Sequence, residues 1–184
     1  FGQSFRLGEG QHVVLEGDEY DTAYFDKVPK FKHYQAQTAV LTSVEFDHAD
    51  IYDDIGEVEQ AFDLLCRRLA ERRGTLIPYA QDAGAMAAAD RAPSSIEIRP
   101  YAGYPGPEIR DLRATDEGYH LSLWRGDGPL GDLLIPVYGR HNVANALAAY
   151  EVGRSLGLDH QQLAEGLLGF AGVKRRMELR GDPN

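Results

Sequence analysis

The stretch TAVLTSVEFDHAD, running from Thr38 to Asp50, holds the pattern on which the fold turns. Ala39, Val40, Leu41 and Val44 make a short apolar, partly β-branched run, which predicts a buried strand over residues 38–44. The run then breaks into Glu45, Phe46, Asp47, His48, Ala49 and Asp50. Acid and imidazole gathered at the carboxyl end of a buried strand mark the place where an open α/β sheet puts its ligand. A second run has the same shape. His12, Val13, Val14 and Leu15 predict a strand over residues 11–16, and it ends in Glu16, Gly17, Asp18, Glu19, Tyr20 and Asp21.

Two strands that both end in acids point to a hard cation held by carboxylates and one imidazole, with Glu16 and His48 converging on it. The alternative is a solvated acidic rim with an ordinary loop histidine. Asp47 and Asp50, at i and i+3, are placed to orient His48 or a shell of bound water. Asp53 and Asp54 read as caps of the helix that follows, and Asp18, Glu19 and Asp21 as plain loop acids.

Outward from this stretch, Tyr20 to Lys32 reads as an irregular excursion containing Pro29. Val58, Phe62, Leu65 and Leu69 recur at helical spacing and predict a helix over 57–72, closed by Gly74. Residues 75–79 predict a third strand. Asp82 opens an alanine-rich helix to Arg91, and residues 95–99 alternate as a strand does. The texture then changes. A Gly/Pro-rich loop over 101–107 leads into strands at 109–115, 119–124 and 130–137, two of them joined around Gly126-Asp127-Gly128. Helices return from Arg140 to Leu156 and, capped by Asp159, through Leu168. Strand and helix alternate in the first half, which argues for a parallel sheet covered by helices. The second half adds a small β meander.

At 184 residues the chain suits one domain with a real core. Its net charge of −10 argues against a nucleic-acid partner, which needs a basic face. No run of 18 apolar residues is present, so no membrane-spanning helix is expected. The single cysteine, Cys66, falls in a helical pattern and reads as a small buried hydrophobe. One cysteine builds no disulfide framework, which favours the cytoplasm. The first residues, from Phe1, are neither a methionine start nor a signal peptide, and Arg180 to Asn184 stop within a turn, so a piece of a longer protein is expected.

Two further groups carry chemistry. GRHNVAN, Gly139 to Asn145, follows a strand and opens a helix. His141, Asn142 and Asn145 project from its first turns, and amides that both donate and accept suit the edge of a purine. The alternative is simple helix capping by Asn142. Lys174, Arg175 and Arg176 could clamp a phosphate or form a solvated basic turn. No Gly-Lys pair occurs, so the chain has no phosphate-cradling P-loop of its own.

With these residues in view the chain resembles the Mur ligase family, the ATP-dependent amide-forming enzymes of peptidoglycan synthesis. The likeness rests on LEGDEYD, TSVEFDHAD, and GRHNVANALAA followed by GFAGVKRRMELRG. EYDTAYFDKVPKFKHY is nearer still to the branch that joins UDP-N-acetylmuramate to the recycled tripeptide L-alanyl-γ-D-glutamyl-meso-diaminopimelate. The resemblance implies a central-domain α/β ATPase, a mainly parallel sheet flanked by helices with a small antiparallel flank, lacking its P-loop segment. It implies a central domain over 1–176 and the start of a linker to a further domain over 177–184. ATP would phosphorylate a carboxylate that an amine then attacks.

By the same resemblance Glu16 and His48 would hold Mg2+, and His141, Asn142 and Asn145 would line the adenine and ribose pocket. Arg176 would contact the ATP phosphates, completing a catalytic set of Glu16, His48 and Arg176. UDP-N-acetylmuramate and a peptide would be the other partners. Family members usually carry Thr-Asn where this chain has Thr42-Ser43. No lysine lies between Lys32 and Lys174, so the carbamylated lysine of some relatives is absent, as it is from the muramate-adding members. Other readings are a UDP-N-acetylmuramate–L-alanine ligase, a non-catalytic nucleotide-binding relative, and a metal-dependent hydrolase built on His48 with His33.

Overall fold

The computed structural model describes residues 7–18, 21–23, 26–46, 51–170 and 172. Two short antiparallel strands come first, β1 (Asp21–Ala23) and β2 (Asp26–Pro29), followed by a 3-10 turn over Lys30–His33. The stretch expected to be irregular therefore contains a hairpin. The main sheet is parallel, with β3 (Thr38–Leu41), β4 (Thr75–Pro78) and β5 (Glu97–Ile98) side by side in chain order. Thr38 aligns with Thr75 and Leu41 with Pro78, and Thr75 aligns with Glu97 on the other side. An isolated bridge from Tyr79 to Tyr101 carries the ladder one step further.

The crossovers are α1 (Ile55–Ala70) and α2 (Ala83–Arg91). α1 starts two residues before the predicted helix does, because Asp54 caps it. The Asp54 side chain accepts from the Glu57 amide at 3.1 Å, and the Glu57 carboxylate accepts from the Asp53 amide at 2.9 Å. Val58, Ala61, Phe62, Leu65, Cys66 and Leu69 form its buried stripe. They pack with Leu41, Val44, Leu76, Ala85, Ala88 and Ile96 into a core on one face of the sheet. Each fully buried Leu or Phe contributes roughly 1.5–3 kcal/mol.

The meander follows as β6 (Glu108–Thr115), β7 (Gly118–Arg125) and β8 (Gly128–Ile135), an antiparallel sheet in chain order. Then come α3 (Arg140–Ser155) and α4 (His160–Leu168), the latter opened by a full capping box between Asp159 and Gln162. A second core joins Ile77 and Tyr101 from the parallel sheet to Leu121, Leu123, Leu133 and Ile135 of the meander, Val143, Leu147 and Tyr150 of α3, and Leu163 of α4. Leu76 and Ile77, neighbours on β4, thus face opposite cores, the mark of a strand covered on both sides. His160 joins three elements of this half: Nδ1 lies 3.1 Å from the Tyr150 hydroxyl and Nε2 3.1 Å from the Asp132 carbonyl. A carbonyl only accepts, so Nε2 carries a proton.

One expected strand is absent. Residues 12–18 have no regular secondary structure, and Val13, Val14 and Leu15 are 80%, 93% and 58% exposed. An apolar run becomes a strand only when a neighbour satisfies its ladder, and among the described residues β3 pairs only with β4.

Among the described residues Glu151 is the buried charge, 1% exposed. It accepts from Arg99 at 2.7 Å and from Arg125 at 3.0 Å. Burial alone would lower the Arg99 pKa, but the charge and hydrogen bond of Glu151, with Glu97 behind them, raise it, so the guanidinium stays charged. Glu151→Ala should cost about 3 kcal/mol in chemical denaturation, because it strands the arginines it satisfies. A loss below about 1 kcal/mol would mean that both arginines simply return to water.

Burial in the α1 stripe pushes the Cys66 thiol up from 9.0 to about 11. A raised folded-state value favours the protonated fold, so its contribution is intact below pH 9.0 and is lost as pH rises towards about 11. Stability should fall faster over that range in the wild type than in Cys66→Ala. Parallel pH curves would show that the thiol does not titrate with folding.

Candidate functional site

The described chemistry lies in two places. The first is where the chain leaves β3. Val44 is buried, and its amide donates to Asp82 Oδ1 at 3.2 Å. The same oxygen accepts from the Ala85 amide at 2.6 Å and so caps α2. Beyond Val44, Glu45 and Phe46 are exposed. Asp47, His48 and Asp50 lie outside the described residues, as do Lys174, Arg175 and Arg176.

Glu16 is described. Its carboxylate is exposed and makes no hydrogen bond or ion pair among the described residues. Two residues on, Asp18 anchors the acidic run. Lys30 Nζ donates to Asp18 Oδ2 at 2.9 Å, and the Lys30 amide donates to the Asp18 carbonyl. Lys30 is raised first by that hydrogen bond and further by the charges of Asp18 and Glu16. Glu16 thus keeps exposed carboxylate oxygens, the donor chemistry that suits a hard cation such as magnesium. Among the described residues, no three His, Cys, Asp or Glu side chains meet at a point fit for a metal ion.

The second place is the start of α3. Gly139 is its N-cap at φ 91°, a left-handed backbone that glycine adopts freely, and no side chain caps the helix. The Asn142 and Val143 amides donate to the Gly139 carbonyl, leaving the earlier first-turn N–H groups available for an acceptor from outside. Asn142 does not cap. Its Nδ2 donates back to the Tyr138 carbonyl at 2.7 Å, which orients the amide and leaves its oxygen without a partner among the described residues. His141 and Asn145 are exposed beside the half-buried Asn142. The three residues predicted to line one pocket therefore do share the first turns of one helix. Below them Val143 and Leu147, each 1% exposed, fix α3 in the core.

A shallow groove of about 280 Å³ lies elsewhere, on the meander, among Asp111, Arg113, His120, Ser122 and Asp132. Ser122 Oγ already donates to Asp132 Oδ1 at 2.6 Å, so part of its polar lining is spent internally. Sequence reading missed the link from Asp82 to Val44. It identified Asp82 as a helix cap, and nothing in the sequence marks a hydrogen bond to a residue 38 positions away.

Comparison with known proteins fits this arrangement. The Mur ligase middle domain matches residues 3–153. The chain belongs to the Mur ligase family. It is 30% identical over 184 residues, all of its length, to the UDP-N-acetylmuramate–L-alanyl-gamma-D-glutamyl-meso-2,6-diaminoheptandioate ligase of Haemophilus influenzae, and covers 40% of that protein. It is 32% identical over 96% of its length to the UDP-N-acetylmuramate–L-alanine ligase of Trichormus variabilis, covering 35% of it. Among solved structures, the UDP-N-acetylmuramate:L-alanyl-gamma-D-glutamyl-meso-diaminopimelate ligase from Neisseria meningitides superposes with a TM-score of 0.74. Identity to it is 34%, over 87% of this chain and 48% of that one. The chain thus spans about 40% of the length of the first of these curated relatives. The α/β Mur ligase fold expected from the sequence is the fold observed. Among the described residues no helix is long and apolar enough to cross a membrane.

Proposed function

We propose that this chain is the central, ATP-binding part of a cytoplasmic ligase that joins UDP-N-acetylmuramate to L-alanyl-γ-D-glutamyl-meso-diaminopimelate in peptidoglycan recycling. The observation that carries the reading is the glycine-opened, side-chain-uncapped start of α3, with His141, Asn142 and Asn145 on it, in a chain that matches a tripeptide ligase from end to end. Residues 1–176 would form the ATP-binding unit and 177–184 would begin the link to a further domain.

In this reading Asn142, held by the Tyr138 carbonyl, presents its amide oxygen to the nucleotide, while His141 and Asn145 flank the base and ribose. Glu16 and His48 hold magnesium, which when bound neutralises phosphate charge. Arg176 meets the phosphates. Glu16 has the free carboxylate oxygens that this role needs. Phosphoryl transfer depends mostly on such positioning and charge compensation, so these residues orient and stabilise without reacting themselves. The acidic balance of the chain supports small-molecule partners over nucleic acid.

The L-alanine-adding ligase is the second reading, favoured by the likeness to the Trichormus variabilis protein.

The test begins with the gene on both sides of this segment, for a phosphate-cradling loop before it and a further domain after it. In the protein so completed, phosphate release from ATP with UDP-N-acetylmuramate should require the tripeptide. Release with L-alanine instead would transfer the chain to the second reading. His48→Ala should lower magnesium-dependent turnover about 100-fold without loss of fold. Asn142→Ala should raise KM for ATP more than it lowers kcat, and equal falls in kcat and kcat/KM would place Asn142 in the transition state instead.

A further inference from the structure

We infer that the ring of Tyr138 is the plate on which the nucleotide base stacks beside the start of α3. The inference rests on the proposed reading of His141, Asn142 and Asn145 as the nucleotide pocket. Those three side chains are polar, and Tyr138 adds the flat apolar surface that a base also needs.

Tyr138 follows β8 and directly precedes the Gly139 N-cap of α3. Both of its ends are held. Its hydroxyl donates to the Asp116 carbonyl at 2.8 Å, in the turn between β6 and β7. Its own carbonyl accepts from the Asn142 side chain at 2.7 Å. The turn that receives the hydroxyl is fixed in its own right. The Thr115 hydroxyl donates to the Gly118 carbonyl at 3.2 Å and accepts from the Glu117 amide at 3.3 Å. A Cβ at Gly118, where φ is 128°, would overlap the Ile135 carbonyl oxygen and sit 2.8 Å from the Pro136 Cα. Turn and strand end therefore meet at a spacing that only glycine allows. The Tyr138 ring spans the gap from this turn to the helix start, with neither end able to swing away.

The ring is also bare. Phe31 stacks on Phe62 and Tyr79 on Tyr101, Tyr150 meets His160 edge-on, and Arg110 covers Trp124. Tyr138 is 38% exposed and pairs with no ring or cation among the described residues. A surface tyrosine ordinarily keeps its hydroxyl in water. Here the hydroxyl is spent on a protein carbonyl while part of the side chain stays open. Tyr104, at 80% exposed, is as bare but has no such tether. A plate fixed at both ends loses little freedom when a planar group settles on it.

Leucine and phenylalanine separate the ring from its tether. In the full-length protein, Tyr138→Leu should raise KM for ATP about tenfold and leave kcat within about twofold. The inhibition constant of ribose 5′-triphosphate, which lacks the base, should not move. Tyr138→Phe keeps the ring and should hold KM within about threefold of the wild type. Equal rises in KM for the two variants would assign the effect to the Asp116 tether and overturn the inference. A weaker ribose 5′-triphosphate in Tyr138→Leu, by the same factor as ATP, would mean a displaced helix start and also overturn it. Should Tyr138→Leu not fold, Tyr138→Trp decides: ATP should quench its emission beyond the wild-type change from Trp124, and ribose 5′-triphosphate should not. Emission unmoved by ATP overturns the inference. Asn142→Ala tells the two readings apart. An unmoved KM for ATP there removes the nucleotide from the start of α3, and the inference with it. A raised KM in Asn142→Ala beside an unmoved one in Tyr138→Leu overturns the inference alone.

Discussion

Glu151 stands on α3 between guanidinium groups from two different parts of the fold, Arg99 just beyond β5 and Arg125 at the end of β7. A carboxylate 1% exposed would be costly to bury alone; paired on both sides, it fixes α3 between the parallel sheet and the meander. Its net contribution to stability is modest by this logic, because desolvation offsets much of the attraction. Its contribution to register is larger. The second core consists of aliphatic and aromatic side chains that would tolerate small slips of α3 along the sheet. A two-sided ion pair does not tolerate them. The first turns of α3, three turns before Glu151, inherit that fixed position.

The helices were legible because their signals are local. Asp54, Asp82 and Asp159 all cap where the sequence puts an acid before an apolar period, and the buried stripe of α1 is the one its spacing predicts. The meander was legible for the same reason: its strands alternate, and Gly126 takes a positive φ in the tight turn between β7 and β8. What failed is pairing, which is not local. Residues 12–16 carry an apolar run as convincing as that of β3, yet remain exposed, because a strand exists only with a neighbour to bond to. Conversely, the β1–β2 hairpin forms in a segment whose composition gives no strand period.

The site divides along the same line. The helix that opens at Gly139, with His141, Asn142 and Asn145 in its first turns, was readable from the sequence, and the alternative of capping by Asn142 is the part that the structure overturns. The Asn142 amide reaches back to Tyr138 rather than capping the helix. Glu151 was invisible as a buried ion pair, since a glutamate in the last turns of an amphipathic helix ordinarily faces water and its partners lie 52 and 26 residues away. The Asp82–Val44 bond escaped notice similarly. Both are long-range contacts of residues whose local roles were already complete.

A chain with a net charge of −10 has few cations to spare, and their placement is informative. Arg99 and Arg125 are spent on Glu151, Arg91 ties α2 to Asp63 of α1, Lys30 anchors Asp18, and Arg110 lies over the Trp124 ring at 4.2 Å. These cations act as staples within the fold. Glu16 receives none of them among the described residues, and its charge is left to raise Lys30 at a distance. Glu16 shares this state with other exposed acids such as Glu9, Asp90 and Asp127, as the excess of acids over bases requires. The glycine-opened start of α3 offers the opposite pole, free N–H groups that favour an anion. The magnesium salt of a nucleotide, the ligand proposed above, carries both signs in one molecule, and binding it would draw on a carboxylate and on a helix start together.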